Sequence, residues 1–377
     1  MKIGFVYPWF APSVGGVETY MKNLHEEFEK LGHEVHVFTS DEHHRGPDRN
    51  EKRSHVHFIE TKLLLGYRIP QKKSVRENLE QYPVDILHCN GPHPYTTAFA
   101  WYAGGKKRGA GGKRVEQPKR ILTYHAHANP ASFLPRIAAA IEKYFYRFLF
   151  DGLVVTTHWY EKEVRKFYPR KRIRVIPLGV QKTLFKKPAE RKPERPFREV
   201  LFVGALDDNH RYKGMEILLE SARQVPYVQY TIIGDGNKRN FLERTAEERG
   251  LENVKFLGSV STEKLRAHYV QADVLILPST SNSEGYGIVL LEAMACGTPV
   301  ITTDKVGSHE EIVKAQAGMI VRASDPDHLS KAIKELLSSP ELREKIVQNG
   351  YALVQDRSWD KVAAETLNFY GKLTAKN

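Results

Sequence analysis

The chain has 377 residues, 41% hydrophobic and 27% charged, a balance that belongs to a folded globular protein and excludes a disordered or low-complexity chain. One hydrophobic core stops growing near ~250–300 residues, so two domains are expected. The net charge of +12 is uneven: residues 1–180 hold 29 Lys and Arg against 18 Asp and Glu, whereas residues 181–377 hold 28 against 27. A basic first half implies an anionic partner, whether a membrane surface, a phosphorylated substrate or nucleic acid. Cys89 and Cys296 form no C-x-x-C pair and read as core thiols. The N-terminus enters a strand pattern at once, without a charged-then-apolar leader, and no run of ~18 apolar residues follows, so a cytoplasmic setting is expected.

Short β-branched runs alternate with helical periodicity along the whole chain, which predicts βαβ units and parallel sheets covered by helices on both faces. The first strand, Ile3–Tyr7, leads through a Pro-rich loop to Gly15-Gly16, where a helix opens with Val17, Tyr20, Met21, Leu24 and Phe28 on one face. Glycines there let backbone N–H groups approach a phosphate, although the dinucleotide spacing G-x-G-x-x-G is missing. Val35–Thr39 and Asp85–His88 are the next strands; His43, His44, His55 and His57 lie in polar stretches and read as surface residues. Trp101-Tyr102 and Tyr144-Phe145-Tyr146 read as core, while Lys106, Lys107, Arg108, Lys113, Arg114, Lys119 and Arg120, opposed by Glu116 alone, read as a mobile basic loop. Strand Arg120–Tyr124 delivers His125 and His127 at its carboxyl end, the end that faces ligands in open α/β sheets. Leu153–Thr156 and Arg174–Ile176 complete the first series.

The proline-punctuated stretch 179–196 reads as a linker between a first domain, 1–178, and a second, 197–357. Strands are expected at Val200–Val203, Gln229–Ile233, Val254–Leu257, Val274–Leu277, Val300–Thr303 and Met319–Val321. After the first of these comes a loop with the cations Arg211 and Lys213. After Val274–Leu277 a polar loop carries Glu284, Gly285, Tyr286 and Gly287, and a helix then begins with Ile288 and Val289 and contains Glu292. Free N–H groups of that first helical turn can face a diphosphate or sugar hydroxyls. The last segment, 358–377, reads as a helix.

Glu284 and Glu292 with seven residues between them, in Glu-Gly-Tyr-Gly followed by Leu-Glu-Ala-Met-Ala-Cys-Gly-Thr-Pro-Val, resemble the retaining GT-B glycosyltransferases, the group containing phosphatidylinositol mannosyltransferases and bacterial-type glycogen synthases. The resemblance extends to Gly15-Gly16, Val203-Gly204, Lys213-Gly214 and Gly234-Asp235-Gly236, and so over nearly the whole chain. It implies an α/β GT-B fold, two Rossmann-like domains with parallel sheets facing across a cleft, a last helix over 358–377 that crosses back to the first domain, and transfer of a hexose from a GDP- or UDP-sugar with retention. Glu292 would then hold the ribose hydroxyls, and Glu284 would contact the transferred sugar. The N–H groups of Tyr286 to Val289 would orient that sugar, and His125 would meet it. Lys213 would neutralise the leaving diphosphate. The family's arginine position is filled by Ala205, which leaves Arg211 as its nearest substitute.

No metal or other cofactor is expected. The expected partners are the nucleotide sugar and an anionic lipid surface met by the seven basic residues, with the protein peripheral on the inner face of the membrane and no nucleic acid bound. A lipid or lipid-phosphate is the expected acceptor, with a soluble sugar or polysaccharide as the alternative. The rival enzymes are an epimerase or a pyridoxal-dependent phosphorylase on the same architecture. The rival of another class is a non-catalytic nucleotide- or nucleic-acid-binding module, against which stands the absence of an aromatic-interleaved RNA motif or a helix-turn-helix pattern.

Overall fold

A computed structural model describes residues 1–10, 15–41, 55–64, 66–104, 117–127, 144–169, 172–186 and 198–375. The chain divides into two compact units, Met1–Pro177 with Trp359–Asn377, and Leu178–Ser358.

The first unit is built on a seven-stranded parallel sheet. Its strands are β1 (Lys2–Val6), β2 (Glu34–Ser40), β3 (Val56–Ile59), β6 (Ile86–Gly91), β7 (Lys119–Tyr124), β8 (Gly152–Val155) and β9 (Arg172–Val175), ordered β3-β2-β1-β6-β7-β8-β9. A separate antiparallel hairpin pairs β4 (Thr61–Leu64) with β5 (Tyr67–Pro70). The helices are α1 (Gly16–Lys30), α2 (Lys72–Gln81), α3 (Pro94–Ala103), α4 (helical over 144–149) and α5 (His158–Arg165). The central strands are almost wholly buried, as expected of a sheet covered by helices, and a few polar residues such as His88, Asn90 and Thr123 are buried with them.

Two features depart from the sequence reading. The hairpin carries no Asn-Gly or Asp-Gly signal, and β3 is a strand whose His57 faces inward. Far from being a surface residue, His57 is buried, stacks on Tyr82 at 3.8 Å, and shares a 2.8 Å hydrogen bond from Nε2 to His36 Nδ1. His36 Nε2 in turn lies 2.9 Å from Glu34 Oε1, so the edge of the sheet rests on a Glu34–His36–His57 chain. His43 and His44 lie outside the described residues.

The second unit has a six-stranded parallel sheet: β10 (Arg198–Val203), β11 (Val228–Ile233), β12 (Val254–Gly258), β13 (Val274–Leu277), β14 (Val300–Thr303) and β15 (Met319–Val321), in the order β12-β11-β10-β13-β14-β15. Its helices are α6 (Met215–Gln224), α7 (Arg239–Glu248), α8 (Thr262–Gln271), α9 (Ile288–Ala295), α10 (His309–Ala315), α11 (Pro326–Ser338) and α12 (Pro340–Gln355). In the stretch read as a linker, the described part folds onto this unit instead: Val180 and Phe185 are buried, and the Val180 N–H donates to Arg357 O at 2.8 Å.

The last helix, α13 (Trp359–Thr374), groups with the first unit because Trp359, Val362, Ala363, Thr366, Phe369, Tyr370 and Leu373 recur at helical spacing and all are buried. Trp359 meets Tyr20 edge-on, and Tyr370 hydrogen-bonds Nδ1 of the fully buried His88. Gly152 is what lets this helix close on β8, since a Cβ there would stand 2.8 Å from both Leu373 and Phe369.

Candidate functional site

In each sheet the strand order reverses at a point where two neighbouring strands lead their loops in opposite directions, and such switch points are where α/β sheets bind ligands. In the second unit the point lies between β10 and β13. The loops leaving these two strands carry the residues that the sequence singles out. The 3₁₀ turn Asp208–Lys213 follows β10 and the Glu284 loop follows β13. They are stitched together by backbone: Thr280 N donates to Tyr212 O at 2.7 Å. Gly214 makes the approach feasible, because its φ is 75° and a Cβ would fall 2.1 Å from Pro278 O.

Across this seam Lys213 Nζ donates to Glu284 Oε2 at 2.7 Å, with only 12% and 11% of the two side chains exposed. The Ser279 hydroxyl adds a longer bond to the same oxygen at 3.4 Å. Burial on this scale costs both groups their hydration, which offsets much of the attraction between them, and it leaves whichever member loses its partner badly solvated. Arg211 is not brought to the pair. It stays exposed on the turn, where its charge helps hold the Asp208 carboxyl below the usual range, after the larger contributions of Lys238 and Asn237.

Gly287, with φ 77°, is the N-cap of α9, and no side chain caps the helix, so the first-turn N–H groups of Ile288 and Val289 have neither an intrahelical partner nor a side-chain cap. The Ser283 hydroxyl in the same loop is buried with no hydrogen-bond partner among the described residues. Tyr286 is expected to serve the donor through its backbone N–H, and its side chain turns inward. Its ring is buried and its hydroxyl donates to Glu311 Oε2 at 2.6 Å. Glu292, one turn into α9, accepts from the Tyr269 hydroxyl at 2.7 Å. Burial pushes its carboxyl up to about 7, and the Tyr269 bond pulls only partly against this. Near neutrality the protonated form of Glu292 therefore competes with the anion. Neither the Tyr269 partner nor the Tyr286–Glu311 bond carries any signal in sequence, since each joins residues more than 20 positions apart.

In the first unit the switch point lies between β1 and β6. His125 follows β7 beside it, and its Nε2 is 2.9 Å from Asn90 Oδ1 at the end of β6. Tyr20 of α1 meets the imidazole edge-on at 4.9 Å. Burial lowers His125 to about 3, so the ring is neutral at physiological pH. His127 bonds Tyr124 Oη through Nδ1 at 2.8 Å, a structural role. Gly15 caps α1 in an extended conformation, and Gly16 has open space where a Cβ would be. The Glu18 carboxylate folds back over this turn: a Cβ on Gly15 would meet its Oε2 at 2.4 Å, so a phosphate seated here would first have to displace an acid.

The basic residues expected to meet a membrane divide. Lys106, Lys107, Arg108, Lys113 and Arg114 lie outside the described residues. Lys119 and Arg120 belong to β7 rather than to a loop: Lys119 Nζ lies 3.7 Å from Asp151, and Arg120 Nη1 donates to Ala100 O at 3.2 Å. The aromatic runs also differ from the core reading. Tyr146 is buried, but Trp101, Tyr144 and Phe148 are 53%, 60% and 62% exposed, with Phe145 between Trp101 and Tyr144 at ring separations of 5.6 and 6.3 Å. Both cysteines are buried free thiols. Among the described residues no group of three or more His, Cys, Asp or Glu side chains could hold a metal ion, and no helix is long and apolar enough to cross a membrane.

Comparison with known proteins agrees with this geometry. Residues 14–183 match the family described as Glycosyltransferase Family 4, and residues 183–353 match Glycosyl transferases group 1. An uncharacterized glycosyltransferase of Methanocaldococcus jannaschii is 29% identical over 98% of both chains. A phosphatidyl-myo-inositol mannosyltransferase of Mycolicibacterium smegmatis is 25% identical over 98% of this chain and 93% of its own. Among solved structures, sucrose-phosphate synthase from Thermosynechococcus elongatus superposes with a TM-score of 0.82 at 23% identity over 99% of this chain and 98% of that one. Anabaena HepE in complex with UDP-glucose gives 0.72 at 19% over 98% and 100%. Two Rossmann-like units of parallel-sheet α/β type, with such neighbours, define the GT-B class. The chain belongs to the GT-B glycosyltransferases and carries a family 4 domain followed by a group 1 domain.

Proposed function

We propose that this glycosyltransferase moves a hexose from a GDP- or UDP-sugar to an acceptor with retention of configuration and without a divalent metal. The observation that carries the reading is the Lys213–Glu284 pair at the switch point of the second unit, beside the uncapped N-terminus of α9. A leaving nucleoside diphosphate needs positive potential at its phosphates, which a lysine and a helix N-terminus supply together. Glu284, held in place by Lys213 and Ser279, is the acid placed to stabilise positive charge growing at the anomeric carbon. Glu292 accepts from the ribose diol, and His125, a neutral imidazole, meets the transferred sugar as donor or acceptor. Arg211 and the Gly15-Gly16 turn assist the phosphates, the latter once Glu18 moves aside. The acceptor oxygen enters on the face that the diphosphate leaves, so its proton passes to the departing phosphate oxygen. The UDP-glucose carried by HepE and the mannosyl transfer named for the mycobacterial relative fit this donor class.

The test is titration of UDP and GDP with and without EDTA. Binding of one of them, unchanged by EDTA, is expected; binding only with added metal, or none at all, would refute the reading.

For the acceptor we infer a lipid or lipid-phosphate at an anionic surface, reached from the cytoplasmic side. Its support is the cluster of exposed aromatics Trp101, Tyr144 and Phe148 in a strongly basic half of the chain, an amphipathic combination suited to a membrane interface. Each Lys or Arg near an anionic leaflet is worth ~1 kcal/mol, so the attachment should be reversible and weakened by salt. Co-sedimentation with phosphatidylglycerol vesicles but not phosphatidylcholine ones, lost in high salt, is the expected result. Equal recovery with both would favour a soluble sugar acceptor.

A further inference from the structure

We propose that Glu311 and Arg357 are positioning residues for sugar transfer: acting through the hydroxyl of Tyr286, they hold the donor loop and tie it to the place where the chain leaves the second unit. The inference rests on the donor reading above.

Tyr286 sits between Gly285 and Gly287 in the loop that enters α9, the part of the site with least conformational restraint of its own. Its ring points into the protein, and its hydroxyl donates to Glu311 Oε2 at 2.6 Å. The other carboxylate oxygen, Oε1, accepts from Arg357 Nη2. One carboxylate thus serves two donors, one from the loop and one from the last residues of the unit. The backbone of the loop is held at two more points, Ser308 Oγ to Tyr286 O at 2.6 Å and Gly307 N to Glu284 O at 3.3 Å.

Arg357 also works through its main chain. Its carbonyl accepts the Val180 N–H at 2.8 Å, and Val180 forms a parallel bridge with Ser358. The second unit begins at Leu178 and ends at Ser358, so both of its chain ends meet at Arg357. A nucleotide sugar that orders the Glu284–Gly287 loop therefore also orders these ends, through three side chains. Arg357 and Glu311 are 16% and 26% exposed, a setting in which bonds to charged groups are stronger than in water and removal of one partner strands the other. Without Arg357 the half-buried Glu311 turns toward solvent and releases Tyr286. The losses from Tyr286→Phe and Arg357→Met should accordingly be one and the same loss.

The experiment is calorimetric titration of the full chain with UDP and with GDP, for wild type, Tyr286→Phe, Glu311→Gln, Arg357→Met, Arg357→Lys and the Tyr286→Phe/Arg357→Met double variant. Tyr286→Phe keeps the buried ring and removes only the hydroxyl, so its melting temperature should stay close to wild type. Each of the first three single variants should weaken the better-bound nucleotide about 10-fold, as expected for one hydrogen bond to a charged group. Arg357→Lys should recover part of the loss, and the double variant should bind no more weakly than the weaker single. In hydrogen exchange, the nucleotide should protect residues 178–182 and 356–359 of wild type but not of Tyr286→Phe. Variants that bind like wild type, or a double loss equal to the product of the singles, would overturn this inference alone. A wild type that binds neither nucleotide removes the donor reading and this inference with it.

Discussion

Mild acid should unfold the first unit ahead of the second, and the cause lies in its histidines. His88, His93 and His125 are lowered to about 3 from 6.5, each chiefly by burial, and His57 to about 4 by burial and then by the neighbouring His36 and His55. All four belong to the first unit. A histidine held neutral in the fold but free to protonate when unfolded contributes stability that is intact above pH 6.5 and is lost as pH falls toward the folded value. At pH 5 each such imidazole costs ~2 kcal/mol, from 1.36 kcal/mol per pH unit. His88 and His57 are buried and count in full, ~4 kcal/mol together; His93 and His125 are partly exposed and count for about half, giving ~6 kcal/mol in all. Domain stabilities run at about 5–15 kcal/mol, so the loss is decisive. The assay is built into the chain: its four tryptophans, Trp9, Trp101, Trp159 and Trp359, all lie in the first unit, so fluorescence reports on that unit alone and far-UV dichroism on both. Between pH 7.5 and 5.0 the urea midpoint by fluorescence should fall by ~2–3 M, taking a denaturant slope of about 2 kcal/mol per M. A fluorescence midpoint that does not move would refute the argument.

Glu292 has the opposite sign: with its carboxyl raised to about 7, the fold favours the protonated form, and that stability is lost as pH rises from 4.5 through 7. Because a ribose diol needs the ionised acid, nucleotide affinity should rise about tenfold per pH unit below 7 and level off above it, and calorimetry in buffers of different ionisation heat should show a proton released on binding; Glu292→Gln should abolish both effects. Lys213→Met should lower the stability of the second unit by ~3 kcal/mol by stranding Glu284, and Lys213→Met/Glu284→Leu should regain most of it in urea titrations followed by dichroism. His125→Ala and Glu284→Gln should depress turnover more than nucleotide affinity, and normal turnover in both would end their catalytic assignment.

What was legible in the sequence was whatever is carried by continuous apolar runs or by a local motif. Val274-Leu275-Ile276-Leu277 can only be a strand buried on both faces, and its bounds are those of β13. The half-polar edge was harder: in Val56-His57-Phe58-Ile59 one of the two buried residues of the alternation is a histidine, and nothing local to it announces His36 across the ladder. Bonds between distant loops had no signature either. Lys213 and Glu284 each stood out, but their meeting across 71 positions depends on the switch from β10 to β13, a property of strand order rather than of either loop. The motif itself was informative about identity and silent about direction. It offered the backbone N–H of Tyr286 to the donor but said nothing of the side chain, which the structure turns inward onto Glu311. An aromatic between two glycines in a ligand loop can serve the ligand by anchoring the loop, and its hydroxyl, invisible to any periodicity, is then the atom on which the site depends.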